Sequence, residues 1–155
     1  MRAFNVFDTP VPIREDEPEG YKGGEVEFRD EIGARRLTGK VYELPAGQAL
    51  CPYHWETDEE WMLVLSGRVL VRHPEGEDEV GPGDIVAFPA GPEGAHKTTA
   101  VGEQSARVVF IATFSIPAIA VYPDSDKIGA WSGNEDDYVL VRRGSRLDYY
   151  DGELG

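Results

Sequence analysis

Glycine and proline interrupt this chain roughly every 8 to 12 residues, and short runs rich in β-branched and aromatic residues lie between them. This spacing is typical of all-β sandwiches and barrels, whereas βαβ units need longer helical segments. Helical periodicity is scarce, and its best candidate is one short turn in YPDSDKIGAW, near the C-terminus. We therefore expect an all-β fold. The predicted strands are EVEFR, RLTGKVYEL, EWMLVL, RVLVRH, DIVAFP, ARVVFIATF and YVLVR.

The charge balance limits the partners that the chain can bind. Its 155 residues include 29 Asp and Glu against 15 Lys and Arg, which gives a net charge of −14. An anionic field of this size repels nucleic acid and anionic membrane surfaces, so we expect neither as a partner. The N-terminal sequence MRAFNVFDTPVPIREDEPEG lacks the continuous apolar segment of a signal peptide, and we expect a cytoplasmic protein.

The length suggests one domain with two peripheral segments. We expect an N-terminal arm over 1–20, a core barrel over 41–114 and a C-terminal extension over 115–155. The arm has the composition of a flexible segment, and an ordered arm would have to pack on its own barrel or on a second subunit. We expect a homodimer.

The stretch CPYHWETDEEW combines a histidine with several carboxylates. Side chains two apart in a strand share a face, so His54 and Glu56 are predicted to point the same way. Glu59 and Glu60 follow a Thr-Asp corner, and alternation cannot decide which of them faces inward. About forty residues later, His96 is predicted to open another strand, at a loop edge outside the core.

Two imidazoles and two carboxylates from adjacent strands can close around one divalent ion. The predicted ligands are His54, Glu56, Glu60 and His96, a set that suits Fe, Mn, Ni or Zn. A thiolate cage is excluded because Cys51 is the only cysteine. Isolated strand histidines are more often structural, and we assign His73, in a predicted hairpin turn, to that class.

The segment PAGQALCPYHWETDEEWMLVLSG resembles the first motif of the cupin superfamily, with Gly47, His54, Glu60 and Gly67 at its marker positions. The segment GPGDIVAFPAGPEGAH resembles the second motif, which ends at His96. The resemblance implies a double-stranded β-helix, the jelly-roll barrel of cupins, with a divalent metal inside it. It extends to a group of single-domain bacterial cupins through AVYPDSDKIGAW and LDYYDGE, but that group supplies no agreed reaction.

The sequence also departs from both motifs. Glu56 replaces the second histidine of the first motif, one additional residue precedes His54, and two precede His96. Ala100 stands where the second motif has asparagine. A carboxylate can replace an imidazole as a ligand, and it shifts the preference of the site toward harder metals.

Three functions fit these features. The first is a metal-dependent dioxygenase, isomerase or lyase acting on a small organic molecule, with Glu59 or Glu60 as the general base. The second is a non-catalytic barrel that holds a small ligand, with or without metal. A metal-free epimerase ranks last, because the Tyr53 side chain would not share a face with His54 and Glu56. We expect Met62, Val64 and Ser66 to line the cavity. For the face of Arg36, Thr38 and Lys40 we favour a solvated edge over the alternative, in which it looks into the pocket.

Overall fold

A computed structural model describes residues 1–153. Besides one four-residue helix, α1 (Arg29–Ile32), the described chain has four short 3-10 turns, at Pro92–Gly94, Pro123–Ser125, Glu135–Asp137 and Arg143–Ser145. No helix in the described range is long and apolar enough to cross a membrane. The strands are β1 (Gly24–Glu27), β2 (Leu37–Leu44), β3 (Trp55–Glu56), β4 (Glu60–Ser66), β5 (Arg68–His73), β6 (Gly76–Val80), β7 (Ile85–Phe88), β8 (Lys97–Val101), β9 (Ala106–Thr113), β10 (Ala118–Tyr122), β11 (Lys127–Trp131) and β12 (Val139–Arg142).

The strands form three antiparallel sheets. Their orders are β1-β2-β9-β4-β7, β6-β5-β8 and β12-β11-β10-β3. An isolated bridge between His54 and His96 joins the residues that precede β3 and β8. Packed antiparallel sheets with this connectivity form a jelly-roll barrel, so the predicted all-β fold is confirmed.

The core lies between the five-stranded and the three-stranded sheets. Met62 and Val108 from the first sheet pack with Val69, Val71 and Ala100 from the second, and all five are at most 2% exposed. Removal of this apolar surface from water is the main force that holds the two sheets together. Met62 and Val64 were expected to line a cavity, but both belong to this core.

The N-terminal arm packs on the barrel of its own chain. The Phe4 ring stacks on Phe28 with centroids 5.0 Å apart. The Arg107 guanidinium donates hydrogen bonds to the carbonyl oxygens of Val6, at 2.9 Å, and Thr9, at 2.5 Å. Of the two ways to order the arm, the structure shows the one that needs no second subunit.

The seven predicted strands are all present, and β3 and β8 lie where strands were expected beside His54 and His96. Strands β6, β10 and β11 were not among the predicted strands. The segment expected to contain a helical turn is mostly a hairpin of β10 and β11, whose turn is the 3-10 segment Pro123–Ser125. Asp126 closes this hairpin in the left-handed conformation, with φ of 51°. Helix α1 was also not predicted, and it ends after one turn at Gly33, whose φ is 73°.

Candidate metal centre

The two histidines face each other across an antiparallel bridge. The His54 amide donates to the His96 carbonyl at 3.1 Å, and the His96 amide donates to the His54 carbonyl at 2.8 Å. This pairing sets their ring centroids 4.9 Å apart. Both side chains are buried, and His96 is only 1% exposed. The expectation that His96 lies outside the core was wrong, because its ring is buried against Phe88.

Glu60 completes the cluster from the first position of β4. Its Oε2 lies 3.6 Å from His96 Nε2, and its side chain is 16% exposed. One ligand atom from each of His54, Glu60 and His96 lies within 4.8 Å of the other two. Small side-chain rotations would bring three atoms at this spacing onto one ion, since N and O ligands bind such ions at about 2.0–2.2 Å.

The hydrogen bonds of the imidazoles define which nitrogens are available to a metal. His54 Nδ1 lies 3.0 Å from the Pro52 carbonyl oxygen, and His96 Nδ1 lies 2.9 Å from that of Gly94. A carbonyl oxygen only accepts, so each Nδ1 carries the proton and donates it. In the neutral rings both Nε2 lone pairs are then free, as is usual for metal-binding histidines.

The residues inserted before His96 build its support. They belong to the 3-10 turn Pro92–Gly94, whose last carbonyl accepts the His96 hydrogen bond. A Cβ on Gly94 would overlap the carbonyl oxygen of Pro89, so this turn requires glycine. The longer spacing before His96 therefore provides the turn whose carbonyl holds the His96 imidazole.

The other two predicted site residues lie in different places. Glu56 shares a face with His54, as alternation predicted, and its Oε1 is 3.4 Å from His54 Nε2, but it is outside the three-residue cluster. Glu59 points to the outer surface, where its Oε1 accepts a 2.8 Å hydrogen bond from Trp61 Nε1. Of the two adjacent glutamates, the structure thus brings only Glu60 to the histidines.

Burial and neighbouring charges shift the pKa values of the cluster. Burial, followed by the charge of Glu56, raises the pKa of Glu60 to about 7, although the charge of His54 opposes the shift. Burial and the charge of His54 lower the pKa of His96 to about 4. Burial also lowers the pKa of His54, but hydrogen bonds to Cys51 and Glu56 and the charges of these residues outweigh it and raise the pKa above its ordinary value. Near pH 6 the metal-free cluster therefore holds protons on His54 and Glu60.

Two adjoining cavities, which share part of their lining, lie at this cluster. The inner chamber has a volume of about 200 Å³ and the outer chamber about 420 Å³, and both are bounded by Tyr42, Glu56, Glu60 and Phe110. The inner chamber is further lined by Glu25, Leu50, Cys51, His54, His96 and Tyr122. The outer chamber is further lined by Glu27, Thr38, Gly39, Lys40, Asp58, Ala112, Thr113, Phe114, Ser115, Ala118 and Trp131.

Sequence reasoning underestimated two parts of the outer chamber. Thr38 and Lys40, expected on a solvated edge, line it. The available signal was the alternation that places them on the same face of β2 as Tyr42. Asp58 was treated as part of a corner, yet it is 7% exposed and accepts hydrogen bonds from Thr113 and Ser115 at 2.6 and 2.7 Å.

Residues 40–112 match the family model described as "Cupin domain". This stretch, slightly less than half of the chain, is therefore similar to a cupin domain. The match extends from β2 to β9 and contains the three residues of the candidate metal site, in agreement with the resemblance seen in the sequence. A comparison with curated proteins finds no significant match.

Solved structures share the fold of this chain along most of its length. One from Acidithiobacillus ferrooxidans, provisionally described as a sugar phosphate isomerase, is 20% identical with a TM-score of 0.78 and covers 92% of this chain and 91% of its own. A sugar phosphate isomerase of the cupin superfamily from Silicibacter pomeroyi is 20% identical with a TM-score of 0.75, at 91% and 94% coverage. A polyketide cyclase from Streptomyces resistomycificus is 23% identical with a TM-score of 0.56, at 73% and 79% coverage. These identities establish the shared fold alone.

Proposed function

We propose that His54, Glu60 and His96 bind a divalent transition metal, and that the barrel is a metal-dependent enzyme acting on a small organic molecule. The observation that carries this proposal is the orientation of the imidazoles. Both Nδ1 atoms are occupied by backbone carbonyls, and both Nε2 atoms lie beside carboxylates in a cavity. These hydrogen bonds preorganise the two imidazoles for metal binding.

The donor set favours Fe, Mn, Ni or Zn, since two imidazoles and a carboxylate bind each of these ions. Such an ion, when bound, would polarise a carbonyl or hydroxyl oxygen or, if it were iron, would support oxygen chemistry. The candidate reactions are accordingly those of an isomerase, a lyase or a dioxygenase.

The residues around the cluster favour proton transfer among these reactions. Glu56 is 3.4 Å from His54 Nε2 and borders both chambers, so its carboxylate can take a proton from a ligand held at the cluster. We assign the general base to Glu56, because Glu59 lies on the outer surface and Glu60 is used as a ligand. Two structural neighbours described as isomerases also support an isomerase-type reaction.

A second candidate is a non-catalytic cupin that holds a small ligand. The contact of His54 with Glu56 favours it, because the raised pKa of His54 lets a protonated imidazole offset carboxylate charge without an ion. In that case the barrel would bind its ligand equally well with and without metal.

The first test is elemental analysis of untagged protein that has not been exposed to a chelator. We expect near-stoichiometric transition metal in the wild type, loss of that metal in His54→Ala, and retention in His73→Ala, a control at the hairpin tip. Metal-dependent consumption of a sugar, a keto acid or a phenol would then support the enzyme. Failure to bind Fe, Mn, Ni or Zn even after reconstitution would refute the metal centre and leave the binding barrel.

Two further expectations from the sequence remain predictions. We infer a homodimer, now from the apolar side chains exposed on the outer face of the five-stranded sheet, among them Trp61 and Ile85. The cytoplasmic location rests on the N-terminal composition. Localisation of a tagged full-length chain by fractionation would test the second expectation.

A further inference from the structure

The outer chamber carries a marked excess of negative charge. Glu27 lies exposed at its rim, Asp58 is buried in its wall, and Glu56 and Glu60 border the metal cluster. Among the described residues that line this chamber, Lys40 is the one cation. Its ammonium group is already paired, because Nζ lies 3.2 and 3.3 Å from the two carboxylate oxygens of Glu25.

This arrangement is unsuited to a phosphate. Phosphate sites in proteins use arginine forks, several lysines or backbone amide groups, and the described lining offers only the paired Lys40. The nearby Arg29 packs its guanidinium 3.8 Å from the centre of the Phe114 ring and is not among the lining residues. Even with a divalent ion at the cluster, the four carboxylates outweigh the positive charges, and an anionic ligand would be repelled.

The apolar walls suit a different ligand. Phe114 and Trp131 meet edge to face, with centroids 6.4 Å apart and an interplanar angle of 66°. Aromatic rings beside carboxylates attract cations through the ring quadrupole, as Phe114 already does with the Arg29 guanidinium. The volume of about 420 Å³ falls within the range of small-molecule sites.

We propose that the outer chamber selects a small organic cation, a molecule of sugar or phenyl size that bears an amine, and rejects phosphorylated and carboxylated analogues. The amine would lie against the carboxylates and aromatic walls, while an oxygen of the same molecule faces the metal cluster. This inference rests on the proposed function for the position of the ligand. Its charge selection depends on the chamber itself.

Binding of matched ligands by calorimetry tests the charge selection. One set is glucosamine, glucose and glucose 6-phosphate, and the other is phenethylamine, phenethyl alcohol and 3-phenylpropionate. We expect the amine to bind at least about 10-fold more tightly than the neutral member in one set or both, and the acidic member to bind most weakly in both. If no amine binds more tightly than its neutral analogue, or if an acidic member binds best, the proposal is overturned.

Variants connect the selection to named residues. Glu27→Gln and Asp58→Asn should each lower the preference for the amine by about 3- to 10-fold, whereas Glu103→Gln, at an exposed loop, should leave it unchanged. Asparagine retains an acceptor for the hydrogen bonds of Thr113 and Ser115, and thermal unfolding verifies that the barrel is intact. If Asp58→Asn does not fold, Glu27→Gln decides alone. An undiminished preference in the folded variants would contradict the proposal.

The proposal of a metal centre and the proposal of charge selection can be refuted independently. The ligand series is therefore repeated on chelator-treated wild type and on His54→Ala. A preference for amines that persists in both would support the cationic chamber even if elemental analysis refuted the metal centre. A metal-loaded protein that prefers the phosphate or the acid would support the centre and refute the cation proposal.

Discussion

The His96 imidazole stacks on the Phe88 ring, with centroids 3.7 Å apart and planes 14° from parallel. The proposed metal ligand is therefore also a core side chain, held on one side by an aromatic ring and at Nδ1 by the Gly94 carbonyl. Packing and ligation share this residue, so a substitution at position 96 should affect both.

His96→Ala is expected to abolish metal binding and to lower the free energy of unfolding of the metal-free protein by about 3 kcal/mol, because it removes a buried ring and leaves a cavity. Urea denaturation in the presence of chelator measures the second effect. The control His73→Ala, at a surface hairpin, should cost less than about 0.5 kcal/mol. Equal stability of the two variants would contradict the core role of His96.

The adjacent glutamates provide a matched pair for the metal site. Glu60→Gln should weaken Mn²⁺ or Zn²⁺ binding at least about 100-fold, because it removes a charged ligand beside His96. Glu59→Gln removes the same charge one residue away on the outer surface and should leave the affinity within about 2-fold. Competition with a chromogenic chelator measures both, and similar losses in the two variants would show that general charge and not ligation controls affinity.

Metal affinity should increase with pH. Below pH 7 the Glu60 carboxyl, whose pKa is raised to about 7, must release its proton before it can bind an ion. His54, whose pKa is also raised, must release a proton over the whole range from pH 5 to 8. His96, with a pKa near 4, is already neutral at pH 6 and adds no such requirement. We expect affinity to decrease about 10-fold per unit below pH 7 for each displaced proton, with proton release visible by calorimetry in two buffers. The dependence of affinity on pH should therefore become steeper below pH 7, and an unchanged slope from pH 5 to 8 would exclude Glu60 as a ligand.

Without metal, Glu60 should also make stability depend on pH. Its pKa in the folded state lies above the ordinary value of 4.5, so its favourable contribution is complete below pH 4.5 and is lost as pH rises through about 7. At about 1.4 kcal/mol per pKa unit, the loss is about 3 kcal/mol. The Glu60→Gln variant should therefore gain about this much stability relative to wild type between pH 4.5 and 8. A pH-independent difference in chemical denaturation would contradict the raised pKa.

The homodimer can be tested on the outer face of the five-stranded sheet. Trp61 is 53% exposed and Ile85 is 65% exposed on the paired strands β4 and β7. We expect light scattering to give the mass of two chains, and Ile85→Lys to shift the protein toward one, because it places a charge on this apolar surface. Glu77→Gln, on the exposed strand β6, changes the net charge by the same +1 and is the control for the change in charge. Light scattering is done at about 100 µM protein, and a wild-type mass of one chain at this concentration would refute the dimer.

Several features of this protein were predictable from local sequence. The spacing of glycine and proline predicted the strands, because turns need these residues and strands exclude them. Strand alternation placed His54 and Glu56 on one face, and the spacing of His54, Glu60 and His96 within the two motifs predicted the cluster that the structure gathers. These inferences depend on neighbours in the chain or on a known motif, so no tertiary contact was needed.

The remaining features were decided by pairing between distant segments. The corner at Thr57 and Asp58 breaks alternation, and Glu60 faces inward only because β4 pairs with β7 and β9 in the register that sets it opposite Phe88 and Ala112. The same long-range packing places Lys40 in the lining of the outer chamber, where a solvated edge was expected. It also buries Asp58, which accepts hydrogen bonds from the hydroxyl groups of Thr113 and Ser115. The sequence by itself determined which residues are candidates for the site. The tertiary structure decided which of them meet, since burial and register depend on contacts that no local pattern contains.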